Sequence, residues 1–295
     1  MYEKVLLLIN GEKSMDEKQQ VMQQVVPILE PNIQKLTIRQ TFSKEEFQEM
    51  CQEATHFSLI IIYGGDGTVH LAINELGKMD APPPLAVLPG GTCNDFSRSI
   101  SIPQNLKKAA QTIMSNKIRN VDLAYVNGRY YVNFAGVGLI TEASENIDPQ
   151  LKSSFGRLSY FVSAIQQFQQ SQSQPFYLEV DGEEIEEEAE MVLVMNGFYV
   201  GTHQFPLPDI SVQDGLLDVF VVKESNLQMI REWFSLNYIY DGNQESQIRH
   251  LQAKKVHVET SEPKDVDTDG EVYMQTPVDI HVIPVKLKMV VGEEF

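Results

Sequence analysis

Short apolar runs alternate with amphipathic stretches over the first 120 residues of the chain. Leucine-rich and β-branched runs are typical of strands buried on both faces, whereas apolar residues three or four apart are typical of helices. These patterns predict strands at residues 4–9, 35–41, 57–63 and 85–88, and helices at 16–30, 43–54, 68–76, 94–99 and 106–114. Strands that alternate with helices in this way predict a parallel sheet covered on both faces.

Two of these helices carry boundary signals. Pro27 should kink or end the helix at residues 16–30, because proline lacks the N–H that an interior helical position donates. Ser43 and Glu46 have the spacing of a capping box, which predicts that the next helix begins there.

The pattern changes beyond about residue 121. Paired strand-like runs are separated by turn dipeptides, which lie at residues 127–128, 181–182, 214–215 and 269–270. Only residues 157–168 and 226–238 have a clearly helical pattern. We therefore expect an α/β domain over residues 1–122 and a mainly antiparallel β domain over 123–286.

Composition narrows the class of protein. The 295 residues include 23 Lys and Arg against 41 Asp and Glu, a net charge of −18. This balance disfavours nucleic acid as a partner, and no apolar run approaches the ~20 residues that span a bilayer. The amino-terminal apolar run is too short for a secretory signal, so we expect a cytoplasmic protein; the acidic charge is compatible with a homodimer.

Two glycine-rich turns carry the sharpest chemical signal. Tyr63-Gly64-Gly65-Asp66-Gly67-Thr68 lies between a predicted strand and helix, and Pro89-Gly90-Gly91-Thr92-Cys93-Asn94-Asp95-Phe96 follows the next strand. Glycines allow positive φ and let backbone N–H groups approach a ligand, so such turns can form amide nests for phosphate. A tight strand-to-helix turn without a ligand is the alternative interpretation of either segment alone. Two turns after successive strands should line one edge of the sheet.

These segments resemble the signatures of the diacylglycerol kinase catalytic-domain superfamily, especially its soluble bacterial lipid kinases. The first is similar to Gly-Gly-Asp-Gly-Thr, and the second, with Arg98, is similar to Gly-Thr-x-Asn-Asp-Phe-x-Arg. Later segments also resemble this family, and they begin at Asn133, Gly156, Asn196, Asp214 and Asp269. The resemblance implies a nucleotide-binding domain, a C-terminal β-sandwich, an active site in a cleft between them, and a segment at about 287–295 that packs back on the first domain.

The same resemblance implies which residues hold the cofactors ATP and Mg²⁺. The expected nucleotide-binding residues are Asn10, Thr41, Gly64, Gly65, Asp66, Gly67, Thr68 and Thr92. Asn10 matches the first residue of the family's Asn-Pro-x-x-Gly loop, but residues 11–14 depart from it. The magnesium ligands would be the Asp214 carboxylate and main-chain oxygens near Ser211 and Leu216, since Mg²⁺ prefers oxygen.

Glu271 is the expected general base for the lipid hydroxyl, and Asp66 is its rival by analogy with sphingosine kinases. A carboxylate has the right chemistry for this role. An ordinary Asp-Gly hairpin is the alternative interpretation of residues 269–271, as it is for Asp181-Gly182-Glu183.

The function expected from these residues is ATP-dependent phosphorylation of a lipid hydroxyl, with diacylglycerol as the first substrate, by an enzyme associated peripherally with the membrane. Two alternatives remain open. One is an NAD kinase or another small-alcohol kinase on the same nucleotide domain, and the other is a non-catalytic nucleotide- or lipid-binding regulator.

Overall fold

The computed structural model describes residues 2–138, 173–204, 210–224 and 247–295, and the helices predicted at 157–168 and 226–238 lie outside this part. The chain divides into two compact units. The first unit comprises Met1–Val121 with Val285–Phe295, and the second comprises Asp122–Pro284.

The first unit alternates strands and helices. Its strands are β1 (Tyr2–Asn10), β2 (Ile33–Thr41), β3 (Leu59–Gly64) and β4 (Leu85–Pro89). Its helices are α1 (Met15–Gln20), α2 (Val26–Leu29), α3 (Lys44–Gln52), α4 (Asp66–Leu76), α5 (Asp95–Ser99) and α6 (Leu106–Met114), with 3₁₀ turns at Glu30–Asn32 and Glu53–His56.

The strands of the first unit form a parallel sheet in the order β2-β1-β3-β4. Leu7 of β1 lies opposite Ile38 of β2 and Ile61 of β3, and it is completely buried. Gly64 at the end of β3 lies opposite Pro89 at the end of β4. This register brings the two glycine-rich turns to the same edge of the sheet.

The structure refines both helix-boundary predictions. The helix expected at 16–30 is interrupted by a π-helical turn at Val21–Val25, where the Val26 N–H donates to the Val21 carbonyl just before Pro27. Proline cannot continue the regular ladder, and a π-type turn accommodates the break. The reciprocal capping box belongs to Ser14 and Glu17 at α1.

At α3, the Ser43 hydroxyl caps the Glu46 N–H, but the Glu46 carboxylate accepts from Phe42 rather than from Ser43. The helix therefore begins where Ser43 predicted, with only half of the expected box.

The second unit is built from antiparallel strands. They are β5 (Ile118–Val126), β6 (Arg129–Tyr131), β7 (Phe134–Gly138), β8 (Gln174–Val180), β9 (Glu183–Ala189), β10 (Met191–Met195), β11 (Tyr199–Val200), β12 (His203–Gln204), β13 (Leu217–Val222), β14 (Ile248–Ala253), β15 (Lys255–Thr260), β16 (Asp265–Thr268), β17 (Glu271–Gln275) and β18 (Val278–Val290). The first residues of β5 and the last of β18 belong to the first unit.

Two sheets enclose the core of the second unit. One has the order β14-β13-β10-β7-β16-β17, and the other includes β18-β15-β8-β9, with β5 paired to β18 and β6. Val192 and Val219 from one sheet pack in a single apolar cluster with Leu178, Val256 and Ile280 from the other. The predicted fold class, a parallel sheet followed by an antiparallel β-sandwich, is confirmed.

The carboxyl-terminal residues bond to the first unit, to which they belong. The Val291 N–H donates to the Lys117 carbonyl, and the Gly292 N–H donates to the Ile100 carbonyl, each at 2.9 Å. A Cβ on Gly292 would lie 1.8 Å from the Ser101 carbonyl oxygen, so only glycine permits this approach.

Among the described residues, no helix is long and apolar enough to cross a membrane.

Candidate functional site

The two glycine-rich turns of the first unit touch each other through their backbones. The Gly90 N–H donates to the Gly64 carbonyl at 2.9 Å. A Cβ on Gly65 would lie 3.0 Å from the Gly91 Cα, and one on Gly91 would lie 2.5 Å from the Gly65 Cα. Glycine is therefore required here because two backbones meet, leaving no room for side chains between them.

The glycines of these turns do not use the positive φ that glycine permits. Gly65 has φ −92°, and the described glycines with positive φ lie elsewhere in the chain. The left-handed residue of the region is Asn94, with φ 55°. Asparagine tolerates this conformation better than most residues.

The first turn leads directly into α4. Gly65 is the N-cap of this 11-residue helix and provides no side-chain cap, while the Thr68 N–H donates to the Gly65 carbonyl at 3.0 Å. Gly67 lies in the first turn of the helix, and Thr68 is buried. A helix N-terminus without a side-chain cap favours an anion such as phosphate.

The second turn differs from the amide nest expected from its sequence. The Gly91 N–H donates to the Asn94 side-chain oxygen at 2.7 Å, and the Gly90 N–H is bonded to Gly64. These two amides already have acceptors within the protein, so they are not offered to a ligand. Thr92, the residue expected to close the site, is exposed in this turn.

Asp66 links the two turns. One of its carboxylate oxygens accepts from the Asn94 N–H at 2.9 Å, and the other accepts from the Phe96 N–H at 3.5 Å. The carboxylate also lies within 4.8 Å of ligand atoms of Cys93 and Asp95, both of which are buried. Asp66 thus holds the second turn against the start of α4.

Asn10 and Thr41 lie opposite each other at the ends of β1 and β2. The Asn10 amide lies 3.5 Å from the Thr68 hydroxyl, which brings it to the first glycine turn. The Thr41 carbonyl accepts from the Gly11 N–H at 2.7 Å, and the Thr41 residue is buried. The sequence-predicted nucleotide residues of the first unit therefore gather along one sheet edge.

Lys13 lies beside the second glycine turn and was not among the site residues predicted from the sequence. Its ammonium donates to the Gly90 carbonyl and to the Glu17 carboxylate, the latter at 3.0 Å. Burial opposes ionisation of Glu17, but hydrogen bonds from Ser14 and the Lys13 ion pair outweigh it and lower the pKa of its carboxyl. The only sequence signal for Lys13 was its place in the loop that departs from the family pattern.

In the second unit, Asp269 anchors the hairpin that precedes Glu271. Its carboxylate accepts N–H groups from Val132, Asn133 and Phe134 at 3.0, 2.8 and 3.2 Å, and Asp269 is only 1% exposed. Glu271 follows as the first residue of β17, which stands at the end of the strand order β14-β13-β10-β7-β16-β17.

The surroundings of Glu271 include a cation stacked on an aromatic ring. The Arg129 guanidinium lies 3.6 Å from the centroid of the Tyr273 ring. Burial and the nearby Glu271 charge raise the pKa of the Tyr273 phenol, against the opposing effect of Arg129. Glu271 and Tyr273 are two residues apart in β17 and therefore share a face of the strand.

Asp214 lies in an acidic group with Asp122 and Asp218. Partial burial, with the like charges of Asp218 and Asp122, raises the pKa of the Asp214 carboxyl despite the hydrogen bond from the Leu216 N–H. Asp122 accepts from the Gly215 N–H at 2.8 Å. Asp122 carried no sequence signal, because it lies far from Asp214 in the chain.

The atoms around Asp214 include oxygens, the chemical type of ligand that a hard cation such as Mg²⁺ prefers. The Asp214 carboxylate is one such oxygen donor. The Asp218 carboxylate already contacts His250 at 2.7 Å and accepts from Gln252 at 3.2 Å. Among the described residues, the three carboxylates do not bring their oxygens within 4.8 Å of one another. The Ser211 hydroxyl accepts from the Gln213 N–H at 3.2 Å, so it already has a partner within the turn.

Comparison with known proteins covers nearly the whole chain. The family model of the diacylglycerol kinase catalytic domain matches residues 4–126, and that of the YegS C-terminal NAD kinase beta sandwich-like domain matches 134–291. A Staphylococcus aureus strain Mu3 protein named "Putative lipid kinase" is 34% identical over 256 residues, 84% of each chain.

Two solved structures from Bacillus anthracis strain Sterne are similar throughout. One, described as "a putative diacylglycerol kinase", has a TM-score of 0.90 at 37% identity and covers 99% of this chain and 96% of its own. The other, described as a diacylglycerol kinase, has a TM-score of 0.86 at 35% identity, with coverage of 99% and 98%. The chain belongs to the diacylglycerol kinase catalytic-domain family.

Proposed function

We propose that this protein transfers the terminal phosphoryl group of ATP to a lipid hydroxyl, with diacylglycerol as the substrate and phosphatidic acid as the product. The observation that carries the proposal is the backbone contact between Gly65 and Gly91 beside the start of α4. Such a contact leaves a site free of side chains, which suits a polyphosphate approached by backbone and helix N-terminus. Membership of the family supports kinase activity and a lipid acceptor.

The nucleotide would lie along the sheet edge of the first unit. The α4 N-terminus, with Gly65 to Thr68, would receive the phosphates, while Asn10, Thr41 and Thr92 would border them. The turn would hold the phosphates and keep side chains away from them, and this would orient the phosphate chain for transfer. Orientation of the reacting groups is a main requirement of phosphoryl transfer.

We assign the general base to Glu271 rather than to Asp66. Asp66 accepts backbone N–H groups from Asn94 and Phe96, and those bonds favour its role as a brace between turns. Within the described part of the chain, no group donates a hydrogen bond to the Glu271 carboxylate. A partly exposed carboxylate at the start of a strand is able to accept the proton of an incoming hydroxyl.

Magnesium would be held in the second unit by Asp214 together with main-chain oxygens of Ser211 and Leu216. When bound, a divalent ion supplies positive charge that neutralises neighbouring carboxylates and phosphates. Asp214→Ala should therefore raise the Mg²⁺ concentration needed for half-maximal activity. An unaltered magnesium titration would remove this ion from the proposal.

A substrate panel with radiolabelled ATP tests the function. Diacylglycerol, undecaprenol and sphingosine are presented in mixed micelles, and NAD is supplied in solution, each with Mg²⁺. We expect label in phosphatidic acid. Label only in phosphorylated NAD would replace the proposal with the NAD kinase alternative, and tight ATP binding without label in any acceptor would indicate a regulator.

Because the acceptor hydroxyl lies at a bilayer surface, we also propose that the protein binds membranes peripherally. Co-sedimentation with diacylglycerol-containing vesicles measures this association directly. The active protein could instead remain in the supernatant while it still phosphorylates diacylglycerol in the vesicles. That result would contradict stable membrane binding, because the protein would touch the membrane only during catalysis.

A further inference from the structure

Arg129 carries a positive charge close to the hairpin that leads to Glu271. Its guanidinium lies 3.6 Å from the centroid of the Tyr273 ring, and Tyr273 is two residues beyond Glu271 in β17. Burial raises the pKa of the Tyr273 phenol, the Glu271 charge raises it further, and the Arg129 charge lowers it. The cation and the proposed general base therefore both lie close to this ring.

Tyr273 occupies a β-bulge. Along β17 the pairing with β16 passes from Met274 directly to Val272, so Tyr273 is the inserted residue. A bulge bends its strand and re-aims a side chain, and bulges are common beside active sites. The ring that carries Arg129 is thus presented by a local departure from the regular ladder, close to Glu271.

The backbone on both sides of Arg129 is fixed. Before it, the Asn127 side-chain oxygen accepts a backbone N–H of β18 at 3.0 Å. After it, the Asp269 carboxylate accepts the N–H groups of residues 132–134. Asp269 also stands two residues before Glu271, so one carboxylate ties the segment of Arg129 to the hairpin of Glu271.

The Arg129 guanidinium offers donors as well as charge. Arginine has five N–H donors and no acceptor. Within the described part of the chain, the Arg129 side chain is partly buried and makes no hydrogen bond or ion pair besides its stack on Tyr273. Stacking on a ring leaves the in-plane N–H groups of a guanidinium for an oxygen acceptor.

A carbonyl oxygen of the lipid acceptor matches these donors. In diacylglycerol, ester carbonyls lie a few bonds from the hydroxyl, whereas undecaprenol has no carbonyl and sphingosine has a cationic amine. Two residues along a strand span about 7 Å, so a base and a donor separated in this way can engage neighbouring groups of one polar head. An arginine in this place favours an ester and repels an amine.

We propose that Arg129 is a specificity-determining residue that donates hydrogen bonds to an ester carbonyl of the lipid acceptor, next to the hydroxyl that Glu271 deprotonates. This inference rests on the proposed function, because it takes Glu271 as the general base and a lipid as the acceptor. Tyr273 acts through Arg129, as the positioning residue on which the guanidinium rests.

The test compares an ester acceptor with its ether analogue. Dioleoylglycerol and di-O-oleylglycerol carry the same hydroxyl and similar chains, but only the ester has carbonyl oxygens. Initial rates are measured in mixed micelles with radiolabelled ATP and Mg²⁺ for wild type, Arg129→Met, Arg129→Lys and Arg249→Met, and circular dichroism checks that each variant is folded. Arg249 is the matched control, because it is an arginine of the same unit that pairs with Glu187 at 2.9 Å.

We expect the wild type to prefer the ester about tenfold or more in kcat/KM, the scale of one hydrogen bond to a charged group. Arg129→Met should lower kcat/KM for the ester to the value for the ether, with the ether value and the KM for ATP unchanged. The loss should appear in the KM for the ester rather than in kcat, because the carbonyl is bound alike before and during transfer.

The other substitutions at arginine sharpen this result. Arg129→Lys should recover only part of the preference, since lysine keeps the charge but neither the planar fork nor the stack. Arg249→Met should prefer the ester as the wild type does.

A second pair of variants tests the ring under the guanidinium. Tyr273→Phe keeps the ring and should retain the preference for the ester, whereas Tyr273→Ala should lower the preference toward that of Arg129→Met. Equal preferences in these two variants would overturn the positioning role of Tyr273.

Two outcomes would overturn the inference while leaving the proposed function in place. One is equal kcat/KM of the wild type for the ester and the ether. The other is an equal loss on both acceptors in folded Arg129→Met, which would mean a structural role or a contact with the nucleotide. Failure of the wild-type protein to phosphorylate any lipid would instead remove the proposed function, and the inference with it.

Discussion

Two hairpins in the second unit share the sequence Asp-Gly-Glu and the same backbone turn. Asp181 and Gly182 have φ 50° and 91°, and Asp269 and Gly270 have φ 52° and 92°. Each turn joins two antiparallel strands, with the glutamate as the first residue of the second strand. Both dipeptides thus form the tight two-residue turn in which both residues have positive φ.

The hairpins differ in what the aspartate binds. Asp181 is exposed and accepts the Lys254 and Lys255 N–H groups of a neighbouring turn. Asp269 is buried and accepts three N–H groups from residues 132–134. The same local sequence therefore forms a surface turn in one place and a buried anchor in the other.

Removing the aspartate side chain should show the largest difference in stability between the two hairpins. Asp269→Ala leaves three buried N–H groups without their acceptor, so we expect a loss of about 3 kcal/mol or more in the free energy of unfolding. Asp181→Ala should cost about 1 kcal/mol or less, because water can replace the carboxylate. Urea unfolding followed by circular dichroism measures both, and equal losses would mean that burial of Asp269 contributes little.

Matched changes at Glu271 and Glu183 test whether only the hairpin with the buried aspartate positions a general base. Glu271→Gln should lower turnover roughly 100-fold, the usual scale for loss of a general base, with little change in ATP affinity. Glu183→Gln, the matched change in the exposed hairpin, should leave turnover unaltered. Near-wild-type turnover of Glu271→Gln would transfer the role to Asp66, whose own Asp66→Asn variant would then be the inactive one.

Alanine substitutions at the two hairpin glycines should show the smallest difference in stability between the hairpins. An alanine at Gly182 or Gly270 must adopt positive φ, which costs about 1 kcal/mol in each hairpin. A Cβ on Gly182 has open space around it, so strain is the only cost there. Thermal unfolding of Gly182→Ala and Gly270→Ala should show similar decreases, and a much larger decrease for Gly270→Ala would place a further steric constraint at that turn.

The glycine turns of the first unit show how far sequence reasoning extends. Their meeting at one sheet edge was predictable, because successive parallel strands end on the same side. The reason for the glycines was not predictable: the freedom to adopt positive φ goes unused, and the structure shows backbone contact between Gly65 and Gly91. Conformational freedom is a property of one residue, whereas close approach depends on a partner that the local sequence does not contain.

Lys13 illustrates a limit of the same kind. Its identity and charge are plain in the sequence, but its bond to Gly90 spans 77 positions and depends on the conformation of two loops. The capping box at Ser14 and Glu17, which begins α1 directly after Lys13, was not predicted from the sequence. Such contacts follow from the path of the chain after folding.

Apolar periodicity and turn dipeptides by themselves determined the order of strands and helices, the class of each unit and the two glycine turns, because these depend on neighbours close in the chain. Tertiary structure alone decided that Asp269 is an anchor and Asp181 a surface turn. It also decided that the Gly90 and Gly91 amides have acceptors within the protein and that the Lys13 ammonium contacts the Gly90 carbonyl. Burial and hydrogen-bond partners arise between distant segments, so identical local sequences acquire different chemistry only when the chain brings those segments together.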